Sequence, residues 1–355
     1  MENIYLEKFN KYHKEIVNKL DKEMNKFNNS IIDKDDNKII KSLLKDFIDL
    51  NSNGKYIRAT LIGLAYNNYI KKDDYLDLAV AYETFQTSVL VHDDITDKAE
   101  TRRNKKTIHT RIKEKYNELD KDDVYDFSNA LATWTGNLGY FITNKFLVDS
   151  YKNNKYLSNI ISKYNDIVIK TIKGEIIDID LPFESKYLNY LTKEEDVLDI
   201  YRLKTAHYTI IGPYELGLSI LGKEISKELK QALEYIGICF QIKDDILGVF
   251  GDSKIIGKPN LSDVEECKQT ILYTYTLKTK YKDELLKYYG KKITEKELEK
   301  VRNIFIESKA LEYAEDLMTN LINKAFICLE EDKELTKETK DILKGLIIFI
   351  ESRQK

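Results

Sequence analysis

Apolar residues recur at three- and four-residue spacing over long stretches of this chain. The clearest are Ile4 to Phe27, Asp74 to Val91, Phe127 to Val148, Leu157 to Ile179, Val197 to Leu221, Lys227 to Val249 and Val301 to Leu329. A helix of about 3.6 residues per turn with one buried face has that repeat. No stretch alternates apolar and polar positions over the length of a strand. Interruptions fall at N-S-N-G (51–54), K-A-E-T-R-R-N-K-K-T (98–107), D-L-P-F-E-S (180–185) and F-G-D-S-K-I-I-G-K-P-N (250–260). None is a long Ser/Gly/Pro linker, and no solenoid period repeats. The pattern predicts an all-α fold, a large single-domain helical bundle over 1–355 around a central cavity. Chemistry-bearing residues concentrate in about 50–275, and 276–355 add C-terminal helices.

Composition supports this. The chain has 355 residues with only 14 glycines and 3 prolines, too few turn residues for a sheet-rich domain of this size. Sixty acidic residues nearly cancel 57 basic ones, for a net charge of −3. No field of one sign favours nucleic acid or an anionic membrane, so any charged function must come from local clusters. No apolar run reaches the ~18 residues of a membrane span. Cys239, Cys267 and Cys328 are odd in number and far apart, which fits reduced thiols in a cytoplasmic protein better than a disulfide framework or zinc site. The single Trp134 is expected in the core.

Asp-Asp pairs occur at 35–36, 73–74, 93–94, 122–123 and 244–245. Three lie in Lys-rich polar surroundings and are expected at the surface or at helix starts. Asp93-Asp94 follows T-F-Q-T-S-V-L-V-H, and Asp244-Asp245 follows Y-I-G-I-C-F-Q-I-K. Carboxylates ending apolar helices need partners. Asp93 and Asp97 are one turn apart and offset by roughly 40°. Gln86 lies two turns earlier on nearly the same face, and Gln241 precedes Asp244 and Asp245 by three and four residues. Hard oxygen donors without His or Cys suit Mg²⁺, which typically takes one or two carboxylates plus substrate phosphates; ion pairs with Lys or Arg are the plain alternative. Basic residues lie near each cluster: Arg102 and Arg103 after the first, Lys258 and Lys268 after the second, Lys55 and Arg58 upstream, and Lys204 beside Thr205 midway. Two carboxylate clusters with cations on several helices describe a site for two polyanions, one bridged by magnesium.

With these residues in order, the chain resembles the trans-isoprenyl diphosphate synthases of the polyprenyl synthetase family. The resemblance runs from about Gly54 to Thr270, through G-K-Y-I-R, Q-T-S-V-L-V-H-D-D-I-T-D, R-R-N-K-K-T-I-H, K-G-E-I-I-D-I-D, K-T-A-H-Y-T, F-Q-I-K-D-D-I-L-G-V-F-G-D, G-K-P and K-Q-T. It implies a short-chain enzyme condensing isopentenyl diphosphate with an allylic diphosphate, a homodimer using three Mg²⁺ ions. Asp93 and Asp97 would hold two ions and Asp244 the third, with Asp94 and Asp245 beside them in the catalytic set. Arg102, Lys204 and Lys258 would contact the allylic diphosphate, and Lys268 would belong to the substrate-binding set. Lys55, Arg58, Gln86 and Arg103 would line the isopentenyl pocket. Thr205 and Gln241 would face the developing carbocation.

The chain departs from the family pattern in places. Asn53, Tyr56 and Ala59 replace a glycine, an arginine and a proline, Asn104 and Lys106 replace a glycine and a proline, and Asn137 follows Gly136 where an aspartate is frequent. Gly248 stands where many members carry a third Asp. The resemblance also implies a chain-length gate five residues before Asp93, at Ser88, with Val89 next to it. Two small side chains make that level look open. Phe85 lies one turn deeper, roughly 4.5 Å away at about 1.5 Å per residue, and would stop growth at the geranylgeranyl length. Two other functions compete. A non-catalytic regulatory subunit draws on the altered G-K-Y-I-R. A terpene cyclase would need a second metal motif, which Ile169 and Lys173 break after Asn165-Asp166.

Overall fold

The computed structural model describes residues 2–33, 37–52, 54–116, 118, 120–188, 190–251 and 261–353. Helices α1 (Glu2–Asp33), α2 (Lys38–Asn51), α3 (Ile57–Asn67) and α4 (Leu76–Thr96) precede a hairpin of two-residue strands, β1 (Thr101–Arg102) and β2 (Lys105–Lys106). Then come α5 (Ile108–Lys115), α6 (Lys121–Tyr151), α7 (Leu157–Tyr187), α8 (Glu194–Ile200), a π-helical segment (Tyr201–Ile211) and α9 (Gly212–Ser219). After α10 (Lys227–Phe250) follow the short α11 (Ser262–Glu265), α12 (Ile271–Thr276) and α13 (Lys282–Leu285). The long α14 (Glu295–Glu307), α15 (Ala310–Glu331) and α16 (Lys337–Ser352) close the chain. The all-α expectation holds, and the hairpin is the sole sheet among the described residues.

Two compact units are distinguishable: Lys11–Lys163 with Pro213–Lys223, and Met1–Asn10 with Tyr164–Gly212 and Glu224–Lys355. In the former, α4 packs mainly on α6 and α3. It is apolar nearly all round, with Leu78, Val80, Tyr82 and Phe85 fully buried, as a central helix should be. Phe47, Leu50, Val91, Ile108, Ile112 and Ala132 form a cluster beside it. α6 begins at the Asp120 side chain, which accepts the N–H groups of Asp122 and Asp123; this acidic pair is a helix start. In the other unit α10 packs against the π segment and α15.

Two expected boundaries move. The break at 180–185 is absent, because α7 runs through Pro182 to Tyr187. Proline's φ is helical and the ring removes only one bond, and the turns on either side carry the helix across. The predicted helix over Val197 to Leu221 is instead α8, the π segment and α9. Pro213 has no N–H to continue the α ladder, and the Gly212 N–H bonds back to the His207 carbonyl, five residues earlier. The widened backbone fits against α7 at Gly174, where a Cβ would lie 2.7 Å from the Lys204 nitrogen.

Trp134, expected in the core, is 71% exposed. It belongs to a stripe on α6 with Phe127, Leu138, Phe141 and Val148, all exposed. On α7, in the other unit, Ile169, Ile172, Ile176, Ile179 and Phe183 form a second exposed stripe. No helix among the described residues is long and apolar enough to cross a membrane. The three cysteines are unbridged.

Candidate active site

The apolar run of α4 ends in its carboxylates. The Asp97 N–H bonds the Asp93 carbonyl at 2.8 Å, so the helical turn linking the two, expected from their spacing, is formed. Asp94 is 1% exposed, while Asp93 and Asp97 are half-buried. Arg102 answers the question of their partner. Its Nη2 donates to Asp93 Oδ2 at 2.7 Å and its Nε donates to Asp94 Oδ1. Burial pushes the Asp94 carboxyl up to about 6, with Arg102 opposing the shift. Its Oδ2 is buried without a hydrogen-bond partner.

The hairpin makes this reach possible. Arg103 and Asn104 both have positive φ, 53° and 60°, as a two-residue type I′ turn requires. Asparagine at the family's glycine position tolerates that conformation. The hairpin and the following α5 are pinned to α2: Lys105 donates to Asp49 at 2.6 Å, Arg103 donates to the Leu50 carbonyl at 3.3 Å, and Arg111 of α5 pairs with Asp46 at 3.1 Å and Asp49 at 2.5 Å. Arg102 therefore turns back to the acids, while Arg103 sits exposed at the tip.

Lys55 is exposed, and Arg58 and Gln86 are half-buried. Tyr56, in the place of a family arginine, is buried in a left-handed conformation at the start of α3. Spacing alone did not reveal Glu83. It is 3% exposed, and its Oε1 accepts the Ala59 N–H at 3.0 Å. Burial pushes its pKa up, and the charges of Arg58 and Arg103 oppose this. A buried anion thus underlies two of the arginines expected to bind diphosphate.

Below the first cluster, Phe85 is 0% exposed, its ring 5.4 Å from Tyr82 and 5.8 Å from Tyr140. Val89 is buried. The expectation of an open level at Ser88 needs correction. A Cβ on Gly139 of α6 would collide with Ser88 Oγ and lie 2.6 Å from the Phe47 ring. The glycine lets α6 press onto Ser88, and Phe47 of α2 fills the neighbouring space. His92 stacks on Tyr140 at 5.6 Å, in keeping with a packing role.

The second cluster, on α10, is wired differently. Asp245 is 5% exposed and both of its oxygens are taken. The Tyr201 hydroxyl donates to Oδ2 and the Gln241 amide donates to Oδ1 at 2.8 Å. Thr205 donates to Gln241, and the Ile271 N–H donates to the Tyr201 hydroxyl at 3.2 Å. Burial pushes Asp245 up to about 7, and the bonds from Tyr201 and Gln241 oppose it. Asp244 is more exposed and pairs at 2.8 Å with Arg353, just past the end of α16. Arg353 also lies over the Phe240 ring, 4.3 Å from its centre. Lys204 pairs with Glu175 at 2.8 Å and Asp178 at 2.6 Å, so Asp178 is a lysine partner and Asp180 is surface. Lys268 pairs with Asp263 at 3.3 Å. Lys258 lies outside the described residues. Of the partners not foreseen, Glu175 lay within the K-G-E-I-I-D-I-D segment and Tyr201 three residues before Lys204, while Arg353 carried no local signal.

Among the described residues, no three acidic, histidine or cysteine side chains converge as a preformed metal cage. The donors present still fit Mg²⁺. They are carboxylate oxygens, one of them a buried orphan on Asp94, and Mg²⁺ completes its shell with water and phosphate rather than an all-protein cage.

The polyprenyl synthetase family model matches residues 37–305. The chain is 31% identical over 314 residues to the short chain isoprenyl diphosphate synthase of Methanocaldococcus jannaschii, covering 85% of each chain. It is 30% identical over 287 residues to the geranylfarnesyl diphosphate synthase of Aeropyrum pernix, covering 79% of this chain and 83% of that one. Its fold matches the crystal structure of geranylgeranyl pyrophosphate synthase from Corynebacterium glutamicum, a complex with isoprenyl diphosphate and magnesium. That match has TM-score 0.84 and 25% identity, over 97% of this chain and 99% of the other. The motifs and the fold lead to one assignment: the chain belongs to the polyprenyl synthetase family.

Proposed function

We propose that this prenyltransferase joins isopentenyl diphosphate to an allylic diphosphate and releases mainly the geranylgeranyl length. The carrying observation is the end of α4, where Asp93, Asp94 and Asp97 gather with Arg102 turned back onto them. The family match runs through both units, which supports a single catalytic domain over 1–355.

Asp93 and Asp97 would hold two magnesium ions and Asp244 a third. Bound there, magnesium would neutralise charge on the leaving diphosphate. Asp245, saturated by Tyr201 and Gln241, keeps the end of α10 in place. Arg102, Lys204 and Lys268 offer cations to the allylic diphosphate, and Lys55, Arg58, Gln86 and Arg103 hold the isopentenyl group. The allylic C–O bond breaks, the isopentenyl double bond attacks the carbon, and a proton leaves toward the released diphosphate. Thr205 and Gln241 present oxygen dipoles to the cation, and the apolar faces keep water from it.

Phe85, backed by Tyr82 and Tyr140, is the proposed floor for the growing chain. Phe85→Ala should lengthen the main product, scored by mass spectrometry. An active Phe85→Ala enzyme with an unchanged product spectrum would remove the basis for this floor. The exposed stripes of α6 and α7 support a homodimer. The one on α7 has the alternating three- and four-residue steps of a coiled-coil seam. Sedimentation of the wild type as a monomer at micromolar concentration would contradict this. Three unbridged cysteines support a cytoplasmic setting. The deciding experiment is an assay of the purified chain alone with Mg²⁺, labelled isopentenyl diphosphate and allylic starters. Absence of elongation would favour a regulatory subunit, and cyclic hydrocarbons a cyclase.

A further inference from the structure

Residues 52–56 join α2 to α3 and carry the exposed Lys55. Both ends of this link are tied to α4. In front, Asn51 ends α2 and is 2% exposed. Its Nδ2 donates to Thr84 Oγ1 of α4 at 3.2 Å and to Asn28 Oδ1 of α1 at 3.2 Å. Its Oδ1 accepts from Thr87 Oγ1 at 2.7 Å. Behind, the Ala59 N–H donates to Glu83 Oε1 at 3.0 Å. Ala59 lies in the first turn of α3, where N–H groups have no partner within the helix. A proline at that position would have no N–H to give. Next to Lys55, the Tyr56 carbonyl accepts the Thr60 N–H at 3.0 Å and the Thr60 hydroxyl at 2.9 Å. Lys55 is thus four residues from either tie, and Thr84 and Thr87 flank Gln86 on α4.

Burying an amide and two hydroxyls adds little net stability, because desolvation offsets most of the gain from their bonds. An apolar residue of similar size could fill the same junction. Hydrogen bonds add direction. Apolar contacts let one helix slide on another, whereas two threonines holding opposite ends of one amide fix the last residue of α2 against the turn of α4 that carries Gln86.

We infer that Asn51 is a positioning residue for isopentenyl diphosphate: with the Ala59 tie behind, it sets the place of Lys55 relative to Gln86 and Arg58. This rests on the reading of those three residues as the isopentenyl pocket. Both ends of the Asn51 amide are bonded to protein, so it acts through Lys55 and Gln86 and not on the substrate itself.

The test is calorimetry of the full chain with two ligands titrated separately, isopentenyl diphosphate without metal and inorganic pyrophosphate with Mg²⁺. Asn51→Leu keeps the size and removes both polar atoms. Thr87→Val keeps the shape and removes the donor to Oδ1. Lys55→Ala tests the pocket. Each is checked by circular dichroism and chemical denaturation. Asn51→Leu should weaken isopentenyl diphosphate binding about tenfold, within the roughly hundredfold that a misplacement of about 1 Å can cost. Thr87→Val should weaken it less, and magnesium pyrophosphate should bind both variants as it binds the wild type. A role in stability alone would lower the denaturation midpoint and leave the affinity of the folded protein unchanged. Wild-type isopentenyl diphosphate affinity in Asn51→Leu, with Lys55→Ala weakened, overturns the inference and leaves the proposed function standing. Wild-type affinity in Lys55→Ala removes the pocket reading and the inference with it. Equal losses for the two ligands also overturn the inference, since they mark general loosening. If Asn51→Leu fails to fold, Thr87→Val decides alone by the same criteria.

Discussion

The two acidic clusters look alike in the sequence and differ in construction. At the end of α4 the partner is near in the chain: Arg102 bridges Asp93 and Asp94 from a hairpin that begins a few residues later. At the end of α10 the partners are remote. Tyr201 comes from the π segment and Arg353 from just past the end of the last helix. A locally built cluster can rearrange around a bound polyanion while little else moves. A cluster wired to several elements is part of the fold's own hydrogen bonding, so disturbing its partners should cost stability as well as turnover.

The largest expected effects treat the two clusters alike. Asp93→Ala and Asp244→Ala should each lower turnover on the order of 10²–10³-fold, the scale of removing one electrostatic group from an active site. Asp73→Ala should do little, because Asp73 is an exposed partner of Lys19. Steady-state rates at saturating Mg²⁺ measure this, and similar activity in all three variants would sink the site.

Intermediate effects should separate the clusters. Tyr201→Phe removes the donor to Asp245 Oδ2 and the acceptor of the Ile271 N–H. Leaving such buried groups unpaired costs about 1–3 kcal/mol, readable as a lower denaturant midpoint. Arg102→Met leaves Asp94 without its guanidinium. Burial has already pushed that carboxyl up to about 6. Losing Arg102 raises it further, so the acid takes up a proton near neutral pH, which limits the stability cost. Arg102→Met should therefore lower stability less than Tyr201→Phe and lower turnover more. The reverse ranking would mean that the two clusters do not differ in the way their wiring implies.

Local construction also decides what could be read from the sequence. The helical faces of α4 and α10, the acid spacing and Arg102 all follow from residues within a few turns of one another. The π segment did not follow, since its wide turns depend on Pro213 and on α7 closing in at Gly174. Trp134 was misplaced because an indole on a helix is core on most surfaces, and nothing local marks a stripe as outward-facing. The Ser88 level was misjudged because side-chain size on α4 cannot report that Gly139 lets another helix in. Tyr201 and Arg353 reach their aspartates only through tertiary structure.

The smallest effect concerns Arg353. Its guanidinium sits 2.8 Å from Asp244 Oδ1 and stacks on Phe240, so a cation approaching Asp244 must compete with a charge the protein already provides. Asp244 is 36% exposed on its side chain, and ion pairs of that exposure are worth about 0–1 kcal/mol. Competition of that size shifts a binding midpoint by at most about fivefold. Arg353→Met keeps much of the apolar stem over Phe240 and removes the charge. It should lower the Mg²⁺ concentration for half-maximal rate by up to that factor, with the maximal rate within about twofold of wild type. The first cluster supplies the contrast, since Arg102→Met would remove the proposed diphosphate contact along with the competing charge and should lower the maximal rate itself. An unchanged or higher Mg²⁺ midpoint in Arg353→Met would show that Arg353 does not compete for Asp244.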